Sequence, residues 1–442
     1  MFYFFFSVLL VLIICSLLFG SLIKYYYDGG KKYSSIVKIA LFVANIPLIL
    51  NSVINNKSTD PKKPPILTKH KEKKRFQQFL ENNREGLLVL PRYNHSLSRA
   101  VVDIICLNKF KTIHTYKHDI SKMNKKVKST KRFDNLYFQD NETNFSYKHP
   151  LIFDDGSLIC SGIYSPLFKI DFQSNLQWVN DEIVFHHNKV VDHENNIWVP
   201  GQLTSNTELL KKIINVKFRN YAIVKVNSKN EILFKKSILE ILIENKILTR
   251  SHIYQLQNNN DLSHLNCIEP ALSDTDFWKK GDLFLSLKHF SSIVHYRPSE
   301  NKIINYITGP YSNQHDINIL SNKEISILNN NNFFIDNKFS EVLIYNFQTK
   351  QFRTLFNEQL KKENFKTSHG GVSQLLNDGS LVVEEQSHGR IMLFNNEGEK
   401  EWEFINKDKN GNIGSTSSIS ILEDRTFINK FKSIVVNETK LN

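Results

Sequence analysis

From about residue 86 onward the chain is written in short, strand-length apolar runs separated by turn residues, and one arrangement of them recurs. A turn, usually marked by Gly or Asn, leads into an apolar strand. A second strand follows, then another turn, then a third strand that carries Trp or Phe in most copies. The copies lie at residues 156–160, 167–171 and 176–178; at 196–199, 222–226 and 232–234; at 281–286, 292–296 and 303–306; at 324–328, 342–345 and 352–355; and at 379–383, 390–394 and 401–404. A sixth copy opens the series at 86–90, 101–105 and 112–115, and the tail at 417–431 offers a closing strand beside it. Such a meander cannot bury both its faces alone, so each copy needs neighbours.

Six antiparallel sheets set radially make a six-bladed β-propeller, and all-β is the fold class this pattern predicts. A pair of β-sandwiches is the alternative. The 32 Phe and 16 Tyr in 442 residues suit strands. Long amphipathic helices are nearly absent, with residues 206–215 the main exception.

The N-terminus is a separate problem. Residues 1–23 contain no charged side chain and as a helix would span about 34 Å, enough to cross a bilayer. A cleaved signal peptide is the rival reading, although the basic start and small-residue cleavage site are missing. A second apolar stretch at 36–54 makes the anchor either one transmembrane helix or a helical hairpin. The loop between them carries Lys24, Lys31 and Lys32, so with both spans inserted the following domain lies outside the cytoplasm. The expected organisation is a membrane anchor at 1–54, a basic, Pro-rich linker at 55–85 and a propeller at 86–435. The expected location is an inner membrane with the propeller in the periplasm.

The net charge of +13 is concentrated: residues 57–132 hold 20 Lys/Arg against 6 Asp/Glu, which is +14, leaving −1 for the rest. A nucleic-acid binder would spread its charge differently; a basic stretch behind an apolar anchor points to a membrane surface. The four cysteines show no metal or redox spacing, and a Cys106–Cys160 disulfide stays open.

Five histidines enter their repeats at similar intervals. His149 lies 9 residues before Leu158, His187 10 before Ile197, His315 10 before Ile325, His369 12 before Leu381, and His264 19 before Leu283 across an insertion. In a propeller these entry segments line the mouth of the central channel, so the imidazoles should converge there. Converging imidazoles suit a transition metal, a nucleophile with a general acid or base, or an anion clamp. The spacing does not choose among them. Asp154-Asp-Gly156 reads as a turn rather than a calcium loop, the Asn329–Asn332 run as a loop, and Glu384 and Glu385 as opposite faces of one strand.

The order of local motifs is more specific. His186-His-Asn188, Ser263-His-Leu-Asn266, Gly281-Asp-Leu-Phe-Leu-Ser-Leu-Lys288, Gln314-His-Asp-Ile317, Ser368-His-Gly-Gly371 and Gly389-Arg-Ile391 follow one another. This series resembles the bacterial arylsulfotransferase family. The resemblance implies a six-bladed propeller that moves a sulfuryl group from a phenolic sulfate to a phenol through a sulfated histidine, without a nucleotide sulfate donor, cofactor or metal. It implies His315 as nucleophile, His264 and His187 as further catalytic residues, and Asn266, Lys288, His186 and His369 as substrate-binding residues. Lys288 stands where the family has an arginine, which keeps the charge and loses the bidentate fork. The resemblance also allows a homodimer. A metal-dependent propeller hydrolase or lactonase and a non-catalytic propeller scaffold remain the alternatives.

Overall fold

The computed structural model describes residues 2–27, 36, 43, 66–81, 83–127, 139, 141–204, 207–213, 218–248, 261–331 and 339–441. Helix Phe2–Tyr27 opens the chain and carries no acidic residue in its first turn. None of its segment Phe5–Leu22, of mean hydropathy 2.7, is buried among the described residues. An exposed apolar helix of this length suits a membrane span or a signal sequence. The second apolar stretch, 36–54, lies outside the described residues apart from isolated positions.

The remainder is an all-β, propeller-like fold of sequential antiparallel meanders. Leu87–Asn94, Arg99–Cys106 and Lys111–Tyr116 form the first sheet. The chain returns to this sheet at its far end, where Ser420–Leu422 pairs antiparallel with Leu87, Leu88 and Val89. Two further four-stranded sheets are Leu265–Pro270, Leu283–Leu287, Ser292–Arg297 and Lys302–Thr308, then His315–Ile319, Glu324–Asn329, Glu341–Asn346 and Gln351–Leu355. Between the first sheet and these, the strands from Lys148–Ile152 to Ile232–Ser237 join into one eight-stranded sheet. The join is the ten-residue strand Leu176–Phe185, whose far end pairs with Gly201 and Gln202.

Alternating side chains weld each meander to the next. Leu283, Leu285 and Val294 pack on Trp198, Tyr221 and Ile223. Cys267, Phe284 and Ile293 pack on Ile325, Ile327 and Leu343. The last sheet, Ser373–Leu375 through Lys400–Ile405, returns its Val382, Leu393 and fully buried Trp402 to Leu88, Leu90 and Ile105 of the first, which closes the ring. Helix Arg425–Leu441 then covers the outside of the first interface with Ile428 and Phe431.

The stretch read as a linker is docked over its second half. Phe76–Gln78 adds a fifth strand to the last sheet, pairing with Phe404, Glu403 and Trp402. Phe76 stacks on Phe110 at 3.8 Å between ring centroids. Lys69 and His70 each reach the buried Glu385 at 2.7 Å, and the Arg390 guanidinium faces the same carboxylate at 2.7 Å. The basic residues here therefore neutralise a buried acid, and sequence charge counting could not see that acid. The Cys106–Cys160 disulfide is not formed: both thiols are buried and free, and Cys160 Sγ donates to the Lys148 carbonyl at 3.4 Å.

Burial pushes the Glu385 carboxyl up, but His70, Arg390 and Lys69 together reverse this and hold it at about 2. A carboxyl depressed in the fold contributes stability above its unfolded value of about 4.3 and loses it as pH falls through the folded one. We expect Glu385→Gln to lower stability at neutral pH and to flatten the acid loss between about pH 4.3 and 2. Urea unfolding over a pH series checks this; an unchanged acid slope would mean that the network does not carry it.

Candidate active site

A cavity of about 240 Å³ opens where the innermost strands begin. His186, His187, His264, Asn266, Lys288, His315 and His369, all the residues singled out from the sequence, line it together. His149 is there as well.

The backbone brings them in by irregular geometry. His149, His187 and His264 hold left-handed conformations, at φ of 39°, 55° and 44°. Such angles are uncommon outside glycine and re-aim the side chain. The inner strands also bulge. His315 pairs with Leu328 and Asp316 is skipped, while in the preceding sheet Leu265 pairs with Leu287 and Asn266 is skipped. His315 thus corresponds in register to Leu265, not to His264. The similar intervals in sequence reflect a shared location at the channel mouth rather than one repeated ladder position, because a bulge sets two residues against one and lets neighbours in different blades face the same space.

His315 is buried, and its Nδ1 lies 2.6 Å from Asn330 Oδ1 and 3.0 Å from the Asn313 carbonyl. Asn330 is itself fixed, since its Nδ2 donates to the carbonyls of Thr367 and Gly370 at 2.8 and 2.9 Å. Both partners of Nδ1 are acceptors, so Nδ1 carries the proton and Nε2 keeps its lone pair. Burial, then the nearby Lys288 charge, pushes the ring down to about 3, although Asn330 opposes this. The imidazole is therefore neutral at physiological pH.

His264 is held differently. Its Nδ1 donates to Asp261 Oδ2 at 2.8 Å. Burial lowers its proton affinity and the Asp261 charge partly restores it. Burial would raise Asp261, yet His264, His289 and Arg219 together keep it below the usual carboxylate range. His187 shares its Nδ1 with His186 Nδ1 at 2.6 Å, and its ring centroid lies 5.4 Å from His264 and 6.3 Å from His315. Burial, followed by these neighbouring imidazoles, holds His187 well below its ordinary value. Asn266 Nδ2 donates to the Gln314 carbonyl at 2.8 Å.

Two lysines face this set. Lys288 sits in the turn Lys288–Phe290 after its strand, and burial lowers its ammonium. Lys148 begins the strand Lys148–Ile152, lines the same cavity and is pushed down to about 8 by burial, against the pull of Glu384. Neither ammonium hydrogen-bonds to a described residue. Positive charge beside a neutral imidazole that keeps a lone pair can receive an anion and offer it a nucleophilic nitrogen.

Asp261, His264 and His289 bring a carboxylate oxygen and two imidazole nitrogens within 4.8 Å of one another. Arg219 already contacts Asp261 Oδ2 at 3.2 Å, and His289 Nδ1 donates to the Asp261 carbonyl at 2.5 Å. We therefore assign the trio to hydrogen bonding rather than to an ion. Asp261, Asn330 and Lys148 were not singled out from the sequence. Asp261 lies three residues before His264, and Lys148 directly before His149, spacings that carry weak signals. Asn330 lay in a run taken for a loop; it follows the strand Glu324–Asn329 directly and holds His315 in place.

The fold and cavity together are those of a propeller-like protein with a buried cavity lined by imidazoles and lysines. The arylsulfotransferase (ASST) family model matches residues 158–407, more than half of the chain, and the chain belongs to that family. Membership makes it a sulfotransferase-family enzyme with arylsulfotransferase-like function. No curated protein sequence matches it. Among solved structures it is similar to a protein of unknown function from Bacteroides caccae, 12% identical, with 77% of this chain and 100% of that one covered at a TM-score of 0.48. It is also similar to a virginiamycin B lyase from Staphylococcus aureus, 13% identical, with 58% and 69% covered at a TM-score of 0.33.

With 15N-labelled histidine, we expect NMR to show His315 protonated on Nδ1 and uncharged down to about pH 3. Asn330→Ala should mix the two tautomers. An imidazolium at neutral pH would contradict the geometry.

Proposed function

We propose that the chain is a membrane-anchored aryl-sulfate sulfotransferase that moves a sulfuryl group from a phenolic sulfate ester to a phenol through a sulfated His315. The observation that carries this reading is the fixed, neutral His315 imidazole, whose Nδ1 is tied to Asn330 and Asn313 and whose Nε2 keeps its lone pair. In the first half-reaction Nε2 bonds to sulfur and the bond from sulfur to the aryl oxygen breaks, its electron pair leaving with that oxygen. In the second, an acceptor phenol oxygen bonds to sulfur, the S–N bond returns its pair to Nε2, and a base takes the phenol proton. Lys288 and Asn266 would hold the sulfuryl oxygens, with His186 and His369 shaping the donor site. His187 or His264 would serve as the base.

Charge spreads onto the sulfuryl oxygens in such a transfer, so a cation placed in advance lowers the barrier more than a flexible one. Lys288 supplies charge without the fork of an arginine. Lys148, in the same cavity, is a second cation available to the same oxygens.

The reading extends to architecture. The proposed six blades follow if the eight-stranded sheet is divided at Leu176–Phe185 into two meanders. The anchor is residues 1–54 and the catalytic domain is 86–435, on the periplasmic side of an inner membrane. The helix Phe2–Tyr27 supports the anchor.

The test uses the full-length protein in detergent. Nitrophenol release from 4-nitrophenyl sulfate should be sustained only with added phenol and should fall to background in His315→Ala. Sustained release without an acceptor would indicate a sulfatase, and release surviving in His315→Ala would remove His315 as nucleophile. Lys288→Ala should cost about ten- to a hundredfold in kcat/KM for the donor, the range for one hydrogen bond to a charged group. Lys288→Arg should retain activity.

A further inference from the structure

The geometry points to Asp261 as the positioning residue that makes His264, and not His187, the base for the phenolic acceptor, an inference that rests on the sulfuryl-transfer reading above. A base must hold the proton it takes, and an imidazolium in a buried cavity needs a counter-charge. Among the described histidines lining the cavity, His264 alone has a carboxylate behind it, at 2.8 Å from its Nδ1. His187 has another imidazole there, His186, at 2.6 Å.

Asp261 is held from three sides. The Tyr221 hydroxyl donates to its Oδ2 at 3.1 Å, Arg219 donates to the same oxygen at 3.2 Å, and His289 donates to its backbone carbonyl at 2.5 Å. Tyr221 is in turn set by the Tyr164 hydroxyl at 2.9 Å. The carboxylate can only accept, so His264 Nδ1 must donate and Nε2 is left as the accepting nitrogen. A carboxylate this well fixed orients the ring as well as balancing its charge.

The step balances as follows. The acceptor oxygen bonds to sulfur, and the pair in the S–N bond returns to His315 Nε2. The acceptor proton goes to His264 Nε2, and the resulting imidazolium faces Asp261. In the donor half-reaction with a good leaving group the departing oxygen needs no proton, so that half does not depend on Asp261. The dependence therefore falls on the acceptor half and on how firmly the acceptor holds its proton.

The experiment compares wild type and Asp261→Asn, both full length in detergent, with 4-nitrophenyl sulfate as donor. A burst without acceptor reads sulfation of His315. Steady turnover with phenol, and with the more acidic 4-cyanophenol, reads the second half. We expect the burst rate to stay within about threefold of wild type and turnover with phenol to fall on the order of a hundredfold or more, as for loss of a general base. The deficit should shrink with 4-cyanophenol, which is largely ionised at mildly alkaline pH. Tyr221→Phe, which keeps the carboxylate and removes one donor to it, should show the same pattern at smaller size and stands in if Asp261→Asn does not fold. A burst that falls as far as the turnover, a deficit indifferent to acceptor acidity, or unchanged turnover would overturn the assignment and return the base to His187. A wild type with no burst would overturn the sulfuryl-transfer reading itself.

Discussion

An imidazole removed from water gives up its proton readily, and the cavity at the channel mouth depends on that fact. His315 and His186 are each pushed down to about 3, with burial the largest cause. Left charged, these rings and the two lysines would repel one another across a few ångströms of low-dielectric space. Neutral, they leave Lys288 and Lys148 as cations lining the cavity and an uncharged nitrogen that the proposed anionic ester would meet. Burial alone would also leave each ring free to choose its tautomer. The partners behind the rings remove that freedom: Asn330 fixes His315, and Asp261 fixes His264.

Holding polar rings in these positions has a structural cost. His149, His187, His264 and Asp316 all sit at positive φ, and strained backbone of this kind costs on the order of 1–3 kcal/mol per residue. It persists only where the surroundings over-determine it. Here those surroundings are the apolar interfaces between successive meanders, the closing strand Ser420–Leu422 and the docked strand Phe76–Gln78. Gly371 shows how little slack remains. At φ of 94° its Cα lies so close to the Glu384 carbonyl that an added Cβ would come within 2.9 Å.

The meander repeat was legible because strands alternate and turns announce themselves, and the histidine intervals were legible because each blade begins at the channel. Register was not. A bulge moves one residue without altering the hydrophobic pattern on either side, so His264 and His315 looked equivalent and are not. Asn330 was invisible for a related reason: an Asn run composes a loop and a hydrogen-bonding clamp equally well, and only the fold brings it 2.6 Å from a histidine 15 residues away. The basic residues before the propeller read as a linker facing a membrane surface, since their buried partner Glu385 lies more than 300 positions downstream.

In the proposed reaction the cavity's electrostatics couple donor binding to proton transfer. A sulfate ester entering beside Lys288 brings a negative charge into the space that holds His264. That charge acts on His264 in the same direction as Asp261, raising the ring's affinity for a proton. Once His315 is sulfated the sulfuryl charge is matched by the positive charge on its ring, and the net negative charge returns as the acceptor's new ester forms and the ring becomes neutral again, which is when His264 must hold the proton. After transfer the sulfated product carries its charge away, and the ring falls back toward the low affinity imposed by burial. The proton taken from the acceptor is then released readily, to the next leaving phenolate or to water. The lysines that attract the ester and the burial that suppresses the imidazolium thus reset the base with each departing anion, which a permanently charged arginine or a solvent-exposed histidine in its place would not do.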